Sequence, residues 1–498
     1  MCPPFERHDM GPNLSPDTEW NKLIIDGDAV GSGGHEEIDV LDPSTEEAFA
    51  TVPAGSVSDV DNAFEAAVAA QESWAEAPPG KRSAIVSRAN EIIDGARDEL
   101  LKLLATESGS TRVKGNLELA SATGIIRESS GFPTRITGEQ PDSLIRGKEN
   151  VVRREPTGVV SVISPWNFPF HLTVRAVAPA LALGNAVVLK PATNTPLSGG
   201  LAVARIFEAA GLPDGLLNVV TGYGSEIGDR VAGHPDADVV AFTGSTEVGR
   251  HVAKQAVDAL ALPAMELGGN GPHVVLEDAD IEQAVAAGAF GSFLHQGQVC
   301  ISINRHLVHE AIYDEYVAWL VDHAQSLPTG SAHNPDTVVG PVISAAHRDD
   351  VLDYVERTVT AGATLETGGG HEQLVVEPTV LSDVSNDMAA ACNEHFGPVA
   401  PVIPFESDEE AVELANETEY GLAASVFSTD LARAQRIATG IDAGMVHVND
   451  QPINEEPHVA FGGTKSSGIG RYNGDEIARK LTEPKWISTQ HEPRRYPF

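Results

Sequence analysis

Three things are scarce in this sequence, and each scarcity excludes something. Cysteine occurs three times in 498 residues, at Cys2, Cys300 and Cys392. An odd and sparse count excludes a disulfide framework and points to a reducing, cytoplasmic setting. Basic residues are few: 33 Lys+Arg against 72 Asp+Glu, a formal net charge of −39. A field of that sign repels nucleic acid and anionic membranes. No apolar run reaches the roughly 18 residues that a membrane span needs. The 17 histidines form no H-x₃-H group and no cysteines pair at ligand spacing, so no metal centre is expected. There is no internal repeat and no low-complexity linker. The first 20 residues, MCPPFERHDMGPNLSPDTEW, lack an apolar core; they read as a loose N-terminal arm rather than a leader, with Met10 as an alternative start.

What is present is a globular pattern. The composition is 42% hydrophobic over 498 residues, which predicts two or three domains. The acids are spread through segments with core-like periodicity, so the chain reads as a folded protein with an acidic, solvated skin. Such a surface suits concentrated salt, where the Debye length falls to about 3 Å at 1 M and self-repulsion is screened.

Residues 59–74 place Val60, Phe64, Ala67 and Val68 on one helical face, and residues 81–106 read as one longer amphipathic helix carrying Ile85, Ala89, Ile92 and Ile93. From 159 the pattern becomes strand–helix alternation: VVSVIS, AVVLK, LLNVVTG and DVVAFTG are strands, separated by helical stretches. Alternation of this kind predicts parallel strands with crossover helices, a doubly wound α/β domain. Ligands of such sheets bind at the carboxyl ends of the strands, here SPWNFP, KPATNTP, TGYGSEIG and FTGSTEVG. After MELGG the alternation restarts and predicts a second α/β unit to about 460. The tail LTEPKWISTQHEPRRYPF mixes β-formers with proline and reads as an edge strand available to another subunit.

Several groups stand out chemically. Gly222-Tyr-Gly224 with Gly228, and Gly244-Ser245 through Gly249, each follow a strand and open a helix. Each is either a phosphate cradle, with free amides and the helix dipole facing the anion, or a structural glycine turn. Lys190 ends a buried strand and is placed to reach a ribose hydroxyl or phosphate. Glu266, between apolar residues and a glycine pair, is either a general base with a raised pKa or an ordinary strand-end acid. Asn167 follows a sharp Pro-Trp break; its amide either stabilises an oxyanion or bonds its own turn. Cys300, in GQVC, is a nucleophile or a small buried hydrophobe. His295 precedes it closely, but without an orienting partner a packing or polar-rim role is preferred to a Cys–His dyad.

SPWNFP, LKPATNTP, FTGSTEVG, MELGGN, GQVC, EHFGP and FGGTKSSGIGR occur in this order between about 160 and 471. In these motifs the chain resembles the aldehyde dehydrogenase superfamily, in its NAD(P)-dependent, non-acylating form. The resemblance implies an α/β fold of two doubly wound Rossmann-like domains with a small β oligomerisation arm. Residues 1–132 and 156–266 would bind the dinucleotide, 267–463 would form the catalytic domain, and 133–155 with 481–498 the arm. It implies Cys300 as nucleophile, Glu266 as the base that activates water, and Asn167 with the Cys300 N–H as oxyanion hole. It places Trp166, Lys190, Thr193, Gly224, Gly244, Ser245, Leu267, Glu394 and Phe396 around NAD or NADP. The expected partners are a small aldehyde and further copies of the chain, as homodimer or homotetramer.

Two positions depart from the family pattern. Thr193 stands where many NAD-preferring relatives carry a Glu, so NADP should be tolerated. Tyr472 stands where many members carry an acid, which leaves Glu266 as the main base. The stretch FHLTVRAVAPALALGN and the close KWISTQHEPRRYPF are similar to the branch that oxidises aromatic aldehydes. There Arg175 either reads an acidic or phenolic group or pairs with a carboxylate. The alternatives are an aliphatic or acid-semialdehyde substrate, a CoA-acylating relative, a cysteine esterase, and an idle homologue.

Overall fold

The computed structural model describes residues 12–34 and 36–498. Cys2, Met10 and most of the expected N-terminal arm lie outside them.

Two parallel-rich sheets are joined end to end. In the first, the parallel strands lie in the order Leu217–Val219, Ala186–Lys190, Val159–Ile163, Val239–Thr243, Leu262–Glu266. Apart from Leu262 at the start of the last strand, their Val, Ala and Leu are buried on both faces, as a sheet covered by helices on each side requires. In chain order this is 3-2-1-4-5, so the order reverses between Val159–Ile163 and Val239–Thr243. The second sheet runs Thr364–Thr367, Thr379–Ser382, Val399–Phe405, Ile303–His309, Gly271–Val275, Ala423–Phe427, Met445–Val448. Only Thr364–Thr367 pairs antiparallel. The chain passes from Glu266, at the carboxyl end of the first sheet, through Leu267–Asn270 to Gly271, at the amino end of the second. That junction brings the two sheets' chemistry together.

Two expectations need correction. The helix read over 81–106 is two helices, Pro79–Gly95 and Arg97–Ser108, hinged at Ala96, where φ −102 and ψ 14 leave the helical region. The arm read from 133 begins later, because the helix Arg112–Arg135 continues through Pro133, which lacks the N–H for one bond of the helical ladder. The tail strand Thr482–Gln490 pairs within its own chain, antiparallel to Lys148–Pro156 over nine residues. Its outer edge stays open, with Trp486 66% exposed. Residues beyond the second sheet return to the first: Gly468–Ile469 pairs with Leu262–Glu266. No helix among the described residues is long and apolar enough to cross a membrane.

Candidate active site

Cys300 sits between two cavities. The larger, about 380 Å³, opens at the reversal of strand order and is walled by Trp166, Gly244, Ser245, Leu267, Glu394 and Phe396. The smaller, about 90 Å³, is walled by apolar side chains such as Phe168, Leu172, Leu294 and Phe461, with His171, Arg175 and Glu455 among them. Cys300 and Asn167 line both.

Asn167 is held by the turn between Val159–Ile163 and the helix Pro169–Ala182. Pro169 starts that helix with φ pre-set and no N–H to satisfy. Its next two amides, of Phe170 and His171, donate to Glu118 Oε1 at 2.9 and 3.2 Å. The other Glu118 oxygen pairs with the fully buried Lys114, whose ammonium lies 4.4 Å from the Phe168 ring centroid. From this bracketed turn, Asn167 Nδ2 donates to the Gln298 carbonyl at 2.9 Å. An amide nitrogen carries two hydrogens, so one remains for an oxygen at Cys300.

Cys300 is carried by a tight return after the helix Ile281–Phe293. His295 and Gln296 adopt φ 51 and 57, values uncommon for residues with a Cβ. His295 is buried against Phe168, its two ring nitrogens without hydrogen-bond partners among the described residues, in keeping with a packing role. Burial raises the Cys300 thiol pKa above its ordinary value, with Glu266 adding and Arg175 opposing.

The glycine pair of MELGGN has a steric cause. A Cβ on Gly269 would lie 2.3 Å from the Cys300 carbonyl oxygen; one on Gly268 would strike the Glu394 carboxylate. Only glycine lets the inter-sheet link pass so close to both. Glu394 Oε1 accepts the Gly269 N–H at 2.8 Å, and burial lifts its pKa to about 7 against that hydrogen bond. Glu266 is 1% exposed, and its Oε1 has no hydrogen-bond partner among the described residues. Burial lifts it to about 8; Arg175 opposes and Glu455 adds.

At the larger cavity Ser245 caps the helix Thr246–Asp258, accepting from the Val248 N–H at 3.5 Å. Phe396 stands edge-on to Trp166 at 5.5 Å between centroids. His347, which carries no sequence motif, completes this aromatic wall and reaches the Phe396 carbonyl at 2.9 Å. Three expected cofactor residues are not on the wall. Lys190 is buried with Nζ turned to the Pro191 carbonyl at 3.2 Å. Thr193 donates to the Gly222 carbonyl at 3.2 Å and borders a separate cavity with Tyr223 and Glu37. Gly224 opens the helix Gly224–Ala232.

Sequence reasoning missed Glu455. His171 Nε2 lies 2.6 Å from Glu455 Oε2, and Asn473 donates to Oε1 at 2.8 Å. Arg175 Nη1 stands 3.6 Å from Oε1. Burial raises the Glu455 pKa, but the charges of His171 and Arg175 outweigh it and hold the group at about 2. Its flanking sequence, PINEEP, reads as a loop; nothing local marks one of its two acids as buried. Among the described residues no group of three or more His, Cys, Asp or Glu gathers as metal ligands would.

The pattern of the aldehyde dehydrogenase family matches residues 30–487. The chain is 46% identical to a vanillin dehydrogenase of Corynebacterium glutamicum, over 94% of this chain and 97% of that one. It is 44% identical to the benzaldehyde dehydrogenase YfmT of Bacillus subtilis, over 96% and 99%. Among solved structures, a betaine aldehyde dehydrogenase of Staphylococcus aureus in complex with NAD+ superposes with a TM-score of 0.93 at 35% identity, covering 95% of each chain.

Proposed function

The chain belongs to the aldehyde dehydrogenase family, and on that premise we propose that it oxidises an aromatic aldehyde to the carboxylic acid with NAD(P)+, through a covalent adduct on Cys300. The observation that carries this reading is that one thiol and one amide, Cys300 and Asn167, border both a large cavity at the strand-order reversal and a small apolar one.

The residues fit a dinucleotide in the larger cavity. The free amides of Thr246–Asp258 offer an anion site beside Gly244 and Ser245. Lys190, off the wall of that cavity with its ammonium on the Pro191 carbonyl, would have to turn toward the cavity to meet a ribose hydroxyl or phosphate. Glu394 offers an acceptor to the nicotinamide ribose. Bound cofactor supplies the acceptor for the hydride that leaves the aldehyde carbon.

The chain's own residues do the rest. The Cys300 thiol, which burial keeps protonated, passes its proton to the Glu266 carboxylate, which releases it to solvent; the thiolate attacks the aldehyde carbon, and the carbonyl electrons move onto oxygen. Asn167 Nδ2 and the Cys300 N–H hold that oxyanion. Loss of hydride leaves a thioester on Cys300. Glu266, whose buried Oε1 has no hydrogen-bond partner among the described residues, takes a proton from water; the hydroxide adds to the acyl carbon, the C–S bond breaks, and acid and thiolate separate. The apolar wall of the smaller cavity, and relatives that act on vanillin and benzaldehyde, support an aromatic substrate. The open edge at Trp486 supports assembly as a homodimer or homotetramer, and the sparse cysteines support a cytoplasmic site of action.

The test is a panel of aromatic and aliphatic aldehydes in high salt with NAD+ and with NADP+, read as reduced nicotinamide and as product acid. Acid formation from benzaldehyde, abolished by Cys300→Ala, is the expected result. Acyl-CoA as product, or turnover surviving in Cys300→Ala, overturns it.

A further inference from the structure

The smaller cavity is walled mostly by apolar side chains, and Arg175 and Glu455 are the two charged groups of opposite sign on its wall. Arg175 is 1% exposed and lines it, yet Nε, Nη1 and Nη2 make no hydrogen bond among the described residues. Its guanidinium lies instead over two aromatic rings, 4.7 Å from the centroids of both Phe461 and Tyr472. That stacking fixes its plane and leaves its N–H fork unspent. Glu455, on the same wall, stands 3.6 Å from Nη1 and stays ionised. A buried guanidinium with five donors and no acceptor in hydrogen-bond reach is costly to keep, unless a ligand supplies the acceptor.

We propose that Arg175 and Glu455 form a substrate subsite for a hydroxyl group on the aromatic ring, so that the preferred substrates are hydroxylated aromatic aldehydes. This rests on the aromatic-aldehyde reading of Cys300. A hydroxyl is the one common ring substituent that both accepts, from the Arg175 fork, and donates, to the Glu455 carboxylate. A carboxylate substituent would meet the Glu455 charge, and an alkyl substituent would leave the guanidinium unpaired. Sites that hydrogen-bond a substrate hydroxyl reject the analogue without it far more strongly than apolar pockets reject an extra methylene.

The experiment compares kcat/KM for benzaldehyde, its three monohydroxy isomers and 2-carboxybenzaldehyde, in the wild type, Arg175→Met and Arg175→Lys. In the wild type at least one hydroxy isomer exceeds benzaldehyde by about tenfold or more. In Arg175→Met that ratio falls to about one, whatever happens to the absolute rates, and Arg175→Lys recovers part of it. Because the readout is a ratio within one protein, a purely structural role for Arg175 would lower all substrates together and leave it unmoved. Should Arg175→Met not fold, Glu455→Gln in the wild-type background is expected to lower the same ratio. Equal kcat/KM for benzaldehyde and every hydroxy isomer in the wild type, or a ratio unchanged by Arg175→Met, overturns the subsite and leaves aromatic oxidation standing. Failure to oxidise any of the aromatic compounds overturns both.

Discussion

Asn167 reaches across the junction of the two sheets to the carbonyl of Gln298, two residues before Cys300, at 2.9 Å. One hydrogen of the amide ties the first sheet's loop to the thiol's loop; the other is free for chemistry. Asn167→Ala is therefore expected to lower kcat about 100-fold, roughly 3 kcal/mol, the cost of losing one oxyanion donor. Steady-state kinetics checks this; a change confined to KM would mean that the amide only supports the loop.

Glu266 carries the pH dependence. With its pKa lifted to about 8, the carboxylate that accepts a proton from water gains population as pH rises, so kcat should climb through pH 8 and then level. In Glu266→Gln, deacylation should stall and an acyl group should accumulate on Cys300, visible as a mass increase of the intact protein. A flat profile from pH 6 to 9 would remove Glu266 from this role.

The same group has a stability signature. A carboxyl whose folded pKa lies above its unfolded value of 4.5 holds its proton more tightly in the folded state. Folding then loses stability as pH rises from the unfolded value toward about 8 and no further above it. Glu266→Gln cannot ionise and escapes that loss. Its melting temperature should match wild type near pH 4.5 and exceed it increasingly up to pH 8.5, as calorimetry would read.

If Thr193 faces the 2′ position of a bound dinucleotide, as the family resemblance implies, it brings no charge there, and its hydroxyl is already committed to the Gly222 carbonyl. Both NAD+ and NADP+ should support turnover, and Thr193→Glu should raise KM for NADP+ by roughly tenfold or more through like-charge repulsion, with a small effect on NAD+. An equal effect on both cofactors would place the 2′ position elsewhere.

The net charge of −39 predicts salt-dependent stability. Self-repulsion across the acidic surface is screened as the Debye length shrinks. Raising KCl from 0.1 to 3 M should raise the melting temperature by roughly 10 °C or more. A melting temperature independent of salt would mean that the acids are neutralised locally.

The sequence by itself determined what local chemistry and periodicity can carry. Apolar alternation from Val159 to Glu266 announced the parallel strands, because strands buried on both faces admit little but Val, Ala, Leu and Ile. The glycines at Gly244 and Gly249 were legible as opening a helix after a strand, whereas the steric need for the glycine pair of MELGGN emerged only in the fold. Cys300, Glu266 and Asn167 could be singled out because each stands next to a break in the pattern. Only the tertiary structure decided which groups meet. The hinge at Ala96 follows Gly95, a weak stop signal that the apolar periodicity running through 81–106 masked. Thr482–Gln490 found Lys148–Pro156 more than three hundred residues away, a pairing that no local signal encodes. Glu455 looked like any loop acid, and the sequence left Arg175 open between reading a substrate group and pairing with a carboxylate. Burial beside one another, with His171 bonded to Glu455 and Phe461 and Tyr472 stacked on Arg175, makes one a fixed anion and leaves the other an unspent donor, because ionisation and hydrogen-bond capacity are set by the neighbours that folding supplies.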